Sequence, residues 1–237
     1  MKPYVINNSR GVNVQGMFNE IAPYYDFLNH LLSLGTDMFW RKKAIKLLKP
    51  YKPELILDIA TGTGALAIEA LSLNPKQITG VDVSQKMINI AKKKIIRKKI
   101  ENKILFKIAK AEELPFADGA FDIITVAFGV RNFYCLEKGL TEMCRVLKNG
   151  GVTAILEFSI PSIIILKHIY LFYFKNILPV IGKIISKNKV AYSYLPETVM
   201  NFPQGNEFAD ILKKTGFKNI RLKRLSLGIC TIYLAEK

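Results

Sequence analysis

One stretch constrains this sequence more than any other: Leu55-Ile56-Leu57-Asp58-Ile59-Ala60-Thr61-Gly62-Thr63-Gly64, followed by the helix formers Ala65 to Leu71. An apolar run carries a single acid, closes on two glycines and passes into a helical segment. This is the pattern of a buried parallel strand, a tight turn and a helix start. Gly62 and Gly64 reach backbone angles closed to residues with a Cβ and let a ligand approach the main chain. The helix behind them points free N–H groups at that space. Eighteen residues past Gly64, Ile78-Thr79-Gly80-Val81-Asp82 reads as a second strand ending in a carboxylate. An acid there can accept hydrogen bonds from both hydroxyls of a ribose. The two stretches together predict a nucleoside pocket on an α/β sheet.

The details disfavour a dinucleotide. The Gly-x-Gly-x-x-Gly fingerprint lacks its third glycine here. Asp58 is also a poor neighbour for phosphates, which prefer an uncompensated helix N-terminus. It suits a ligand carrying an ammonium group and a sulfonium. The acid-then-glycines pattern resembles motif I of class I S-adenosylmethionine (SAM) methyltransferases. A nicotinamide enzyme and an ordinary βαβ turn are the rival readings.

A length of 237 residues, half of them apolar, predicts one domain with a sizeable core. Cys135, Cys144 and Cys230 are scattered, and His30 and His168 stand alone. Neither a disulfide framework nor a metal site is expected, and a reducing cytoplasm fits best. The start, Met1-Lys2-Pro3-Tyr4, lacks the apolar core of a signal peptide. A formal charge of +16 asks for a negative partner: RNA, anionic lipid, or solvent alone. The richest basic run, Lys92 to Lys99, follows Met87, Ile88 and Ala91 and includes Ile95 at helical spacing, so its lysines form a wet helix face. It has no interleaved aromatics of the kind that bind single-stranded nucleic acid, and no nucleic-acid partner is expected.

Residues 1–16 read as a loose polar tail. Residues 17–48 are dense in aromatics and include Tyr25, Asp26, Asn29 and His30. They read as helices that fold over the ligand as a lid, or as a cover for the first helix layer. A helix capped by Ser84 follows Asp82. After strand three (104–109), Lys110 and Ala111 fall beside the adenine ring, with a backbone N–H at Ala111 free for it. Strand four ends at Ala127, and Phe128-Gly129-Val130-Arg131-Asn132-Phe133 follows where an acceptor should meet the sulfonium. Lys148 to Gly151 reads as a break before strand five (152–158). Residues 160–200 form a helical insertion on the substrate side, apolar but interrupted by Lys167, Lys175 and Lys183. No charge-free run approaches the about 18 residues of a transmembrane span, which leaves a substrate tunnel, an interfacial helix or a buried one. A helix capped by Asn206 and a β-hairpin close the sequence.

Phe18-Asn19-x-x-Ala22-x-x-Tyr25-Asp26, Asp58-x-Ala60-x-Gly62-Thr63-Gly64, Leu114-Pro115-Phe116, Phe128-Gly129-Val130-Arg131-Asn132, Arg145-Val146-Leu147-Lys148-x-Gly150-Gly151 and Leu156-Glu157-Phe158-Ser159 closely resemble the UbiE/MenG family of quinone-biosynthesis C-methyltransferases. The resemblance runs from about residue 17 to the C-terminus. It implies a Rossmann-like fold: a seven-stranded, mostly parallel sheet with an antiparallel C-terminal hairpin and helices on both faces. It implies SAM contacts from Thr63, Asp82, Lys110 and Ala111; the acid and glycines of the first turn, Asp58, Gly62 and Gly64, are expected to join them, and Arg131, Asn132, Tyr25 and Asp26 are the candidates for the acceptor side. The sequence departs from the family's pattern at Lys110, Asn149 and Ala127.

The expected acceptor is a prenylated naphthoquinol, with a benzoquinol as alternative. Peripheral contact with the inner face of the plasma membrane is expected, and a homodimer is allowed. Methylation of RNA, or SAM binding without catalysis, are readings from other classes. Arg131 and Asn132 are expected to orient the quinol oxygen and stabilise its charge. Arginine stays charged and is a poor base.

Overall fold

The computed structural model describes residues 13–177 and 189–237. Seven strands form one sheet: β1 Leu55–Ile59, β2 Gln77–Asp82, β3 Ile104–Ile108, β4 Phe121–Ala127, β5 Leu147–Phe158, β6 Lys218–Leu225 and β7 Cys230–Glu236. Their spatial order is β3-β2-β1-β4-β5-β7-β6. The first five are parallel, and β7 runs antiparallel between β5 and β6. β1 has partners on both edges and helices on both faces, which is why its sequence is nearly all apolar. The order of connection reverses between β1 and β4, and there the strand tips open a crevice for ligands.

Alternation along each strand feeds two cores. Leu57, Ile59, Val81, Ile124, Val126, Ile155 and Tyr233 meet α6 (Leu136–Val146) and α9 (Asn206–Lys214) on one face. Ile56, Ile78, Ile123, Val152, Leu156 and Ile232 meet α3 (Thr36–Leu48), α4 (Ala65–Ala70) and α5 (Gln85–Arg97) on the other. Ser84 caps α5, its hydroxyl accepting from the Met87 N–H. Lys92, Lys93, Lys98 and Lys99 lie on the outer face, opposite Met87, Ile88, Ala91 and Ile95.

A third core belongs to the segments before and after the sheet. Met17, Ile21 and Leu28 of α1 (Val14–Ile21) and α2 (Tyr25–Leu32) pack with Met87, with Tyr170 of α7 (Ile164–Phe172), with Phe174 of the π-turn that follows, and with Val199 of α8 (Lys189–Asn201). The stretch 17–48 is therefore divided. Trp40, Ala44, Ile45 and Leu48 of α3 cover the sheet, whereas α1 and α2 stand over its carboxyl edge.

Three boundaries differ from expectation. Residues 13–16 are not tail: the Asn13 side chain accepts from Gly16 N and caps α1, while 1–12 lie outside the described residues. β5 begins at Leu147, and Lys148 to Gly151 form an irregularity within it, because Leu147 pairs with Phe121 before Val152 pairs with Ile123. Gly205, not Asn206, sits at the N-cap of α9, at a φ of +61° that glycine tolerates. Of the predicted insertion at 160–200, residues 178–188 fall outside the described residues.

Candidate active site

Two adjoining cavities open at the carboxyl edge of the sheet. The larger, of about 600 Å³, lies against the β1 and β2 tips. The smaller, of about 70 Å³, lies under α2 and α3. Phe18, Tyr25, Phe128 and Asn132 line both.

Asp82 organises the larger cavity. Its Oδ2 accepts from Gly62 N and its Oδ1 from Ser84 N, each at 2.8 Å, so one carboxylate fixes the turns after β1 and β2. It also lines the cavity, and each oxygen keeps a lone pair for a further donor. Burial raises its pKa, and the backbone N–H groups work in the opposite direction. Gly62 lines the same wall at a φ of +56°, where an added Cβ would stand 3.7 Å from the Tyr25 ring. Lys110 and Ala111 line the far side, with Glu112 and Glu113. Those two acids stand in the same loop as Lys110, which cannot itself accept a hydrogen bond.

Three of the expected cofactor residues do not line the cavity. Asp58 was expected to face the ligand, but it is 1% exposed and accepts from the Thr61 and Thr125 hydroxyls at 2.6 and 2.7 Å. It braces the turn from beneath. Burial pushes its carboxyl up to about 6, while those hydroxyls pull the other way. Thr63 is buried and donates to Asp26 Oδ1 at 2.5 Å. Gly64 takes the left-handed N-cap position of α4, where a Cβ would stand 2.9 Å from the Phe106 ring. The three shape the turn; Gly62 and Asp82 present it.

The smaller cavity is aromatic with paired cations. Phe18, Tyr25, Phe128, Phe158, Phe174 and Tyr194 supply rings. Arg131 is buried, and its Nη1 donates to Phe128 O at 2.6 Å and to Glu157 Oε1 and Oε2 at 3.0 and 2.9 Å. Its Nε and the Asn132 Oδ1 are buried without a partner among the described residues. An orphan donor and an orphan acceptor in one cavity suit a ligand that carries oxygen functions. Burial raises the Glu157 pKa, against the pull of Arg131. Tyr25 is half-buried in the wall shared by both cavities. Burial raises its phenol pKa, which a hydrogen bond with Asn29 and the charges of Arg131 and Arg41 counter. Asp26 points elsewhere, because Thr63 and Lys94 hold it at the α2–α5 seam.

Glu157, Arg41, Phe174 and Tyr194 were not singled out from sequence. Glu157 had a readable signal, an acid inside the apolar strand 152–158, as Asp58 is in β1. No group of His, Cys, Asp or Glu among the described residues is arranged to hold a metal.

The residues present fit SAM. The volume suits a ligand of that size, Asp82 offers acceptors for a ribose diol, and the acidic, glycine-turned wall suits a cation rather than a pyrophosphate. A SAM-dependent methyltransferase from Thermotoga maritima superposes with a TM-score of 0.64 at 21% identity, over 93% of this chain and 100% of that one. The fold is that of the class I SAM-dependent methyltransferases.

Within that class, residues 5–237 match the ubiE/COQ5 methyltransferase family, and the protein belongs to it. A demethylmenaquinone methyltransferase from Bacteroides fragilis is 47% identical over all of this sequence and 97% of its own length. The ubiquinone/menaquinone biosynthesis C-methyltransferase UbiE of Geotalea daltonii is 46% identical over 96% of this sequence and 97% of its own.

Proposed function

We propose that the protein transfers a methyl group to a ring carbon of demethylmenaquinol, a prenylated naphthoquinol, giving menaquinol. The observation that carries this reading is the pair of contiguous cavities, an acidic nucleoside-sized one beside an aromatic one with two ion-paired guanidiniums. The full-length likeness to demethylmenaquinone methyltransferases supports it.

Bound in the larger cavity, SAM supplies a methyl carbon activated by positive sulfur. The protein's part is to place an electron-rich ring against it. Asp82 and Gly62 hold the nucleoside end, and Lys110, Ala111, Glu112 and Glu113 surround the base. The quinol ring sits where the two cavities meet, against Phe18, Tyr25 and Phe128, with its oxygen edges toward the smaller one. Asn132 Oδ1 accepts from its hydroxyl and orients it, and Arg131 Nε donates to the oxygen, stabilising the charge that builds as the proton leaves. Glu157 keeps Arg131 in place, and Tyr25 closes the wall between the partners. The helices α1 and α2 act as the lid, tied down by Gln15 to Val83 O, Asn19 to Ser84 and Asp26 to Thr63.

The lipid tail needs a route out. No helix among the described residues is long and apolar enough to cross a membrane. α7 and the residue before it instead expose Ile163, Ile164, Ile165, Ile169 and Phe172, with Ile165 75% exposed. With the net positive charge, this surface supports peripheral contact with an anionic bilayer. Methyl-labelled SAM, offered with a prenylated demethylnaphthoquinol and with RNA, should put label into the lipid extract only. Label in RNA, or in neither, overturns the reading. Flotation with anionic vesicles checks the membrane contact, and absence of binding rejects it.

A further inference from the structure

A second arginine reaches the acceptor cavity from a different element. Arg41 of α3 lines it, and its guanidinium carbon lies 5.9 Å from the centroid of Phe128. Arg131 stands 5.3 Å from the centroid of Phe158. Phe128 and Phe158 are stacked on each other at 4.5 Å. Two cations therefore attend one aromatic stack. Phe128 is held at a φ of +57°, a strained value for a residue with a Cβ, so its ring is placed by the surrounding structure.

Arg41 is also restrained. Its Nη1 donates to Asp37 Oδ2 at 2.5 Å, and Asp37 Oδ1 takes the Ser33 hydroxyl at 2.9 Å and faces His30 Nδ1 at 3.2 Å. Burial opposes ionisation of Asp37, but Arg41, Ser33 and His30 together hold its carboxyl below the usual range. Asp37 is thus a fixed anion that aims Arg41. Among the described residues no further bond engages Arg41 Nε or Nη2, so both stay available to a ligand. Arg131 spends its Nη1 on three acceptors and keeps Nε.

We infer that Arg41 is a second oxyanion-binding group of the acceptor site, holding the ring oxygen remote from the one that Arg131 and Asn132 meet. This rests on the quinol reading above. A 1,4-dihydroxy ring carries oxygens on opposite edges, and two guanidiniums from two elements line the one cavity. In the step they serve, one quinol O–H bond breaks and its proton passes to solvent. The electron pair is shared with the ring carbon that bonds the methyl as the methyl–sulfur bond breaks. Loss of that carbon's own proton restores the aromatic ring, and the oxygen takes a proton back. The sum is methylated quinol, thioether and one released proton, which balances the sulfonium charge. A cation on each oxygen favours the ionised quinol at neutral pH.

The test is the pH profile of kcat/KM with a demethylnaphthoquinol bearing a short prenyl tail. The charged and titratable groups around Arg41 are Asp37 on α3, Tyr25 and His30 on α2, Arg131 after β4, Glu157 on β5, Tyr194 on α8, Asp58 on β1 and Cys230 on β7. Arg41→Gln leaves every one of these side chains in place but removes the lowering pull of the Arg41 charge on Asp37, Tyr25, Asp58 and Cys230. That variant should move the rising limb to higher pH by about one unit and cut neutral-pH turnover by about 100- to 1000-fold, as loss of one oxyanion donor does. Arg41→Lys should recover part of the shift, and the affinity for S-adenosylhomocysteine (SAH) should stay within about twofold in both. If Arg41→Gln does not fold because Asp37 loses its cation, Asp37→Asn/Arg41→Gln removes both charges and should show the same shift. An equal loss at every pH, with the limb unmoved, assigns Arg41 to packing and overturns the inference. Failure of the wild-type enzyme to methylate the naphthoquinol instead overturns the reading beneath it.

Discussion

The donor side and the acceptor side of this site are built on opposite plans. The β1–β2 wall of the donor cavity is made by main chain and one acid: two adjacent strand tips, glycine-shaped turns, and Asp82 accepting from both of them. Its parts lie close together in sequence. The acceptor cavity is made by side chains from α1, α2, α3, the turn after β4, β5, the π-turn after α7, and α8. Its cations are neutralised before any substrate arrives, Arg131 by Glu157 and Arg41 by Asp37. The first plan gives a site that tolerates surface change. The second couples catalysis to stability, because each guanidinium is half of a restrained ion pair.

That contrast can be broken at Arg131. Arg131→Ala leaves Glu157, 1% exposed, as an uncompensated buried charge. It should lose about 3–5 kcal/mol in denaturant unfolding, as well as turnover. Arg131→Leu/Glu157→Leu should regain most of that stability and none of the activity. If the double variant methylates quinol, the guanidinium has no part in the reaction.

Asp82→Ala tests the other plan. It removes the acceptor of two backbone N–H groups and of the proposed ribose, so SAH affinity measured by calorimetry should fall by about 100-fold. Turnover at saturating donor should fall far less than in Arg131 variants. Equal loss of donor affinity in Arg131→Leu/Glu157→Leu would erase the division between the cavities.

The donor plan was the more legible in the sequence. Strand, turn and acid announce themselves in Leu55 to Gly64 and in Ile78 to Asp82, where local pattern and tertiary role coincide. The closing hairpin was legible in the same way, whereas the seven-stranded sheet rested on the family resemblance and its strand order came from the structure. Asp58 shows the limit: an acid beside the turn looks like a ligand, yet Thr125, from a strand 67 positions on, captures it. Arg41 gave no signal, since a basic residue on a helix of mixed face looks like surface. Only the packing of α3 under α2 brings it beside Phe128. The role of Asn13 as cap of α1 was hidden by the polar look of its neighbours.

A smaller effect sharpens the reading of Asp58 as a brace. Its folded pKa of about 6 lies above the ordinary 3.8, so the folded state binds its proton more tightly. Stability from this group is present at low pH and is lost as pH rises from about 4 to 6. Asp58→Asn keeps partners for both threonine hydroxyls and should flatten the stability profile across that window, while SAH affinity changes by less than about threefold. An unchanged slope would show that Asp58 is not the buried titrating group.

The most direct test of the division into donor and acceptor cavities is a crystal structure with SAH and a naphthoquinol of short prenyl tail bound together. The ribose hydroxyls should lie on Asp82 and the thioether at the wall formed by Tyr25 and Phe128. The quinol ring should lie at the mouth of the smaller cavity with its oxygens on Arg131 and Arg41. A quinol bound away from that mouth, or SAH bound away from Asp82, would contradict it.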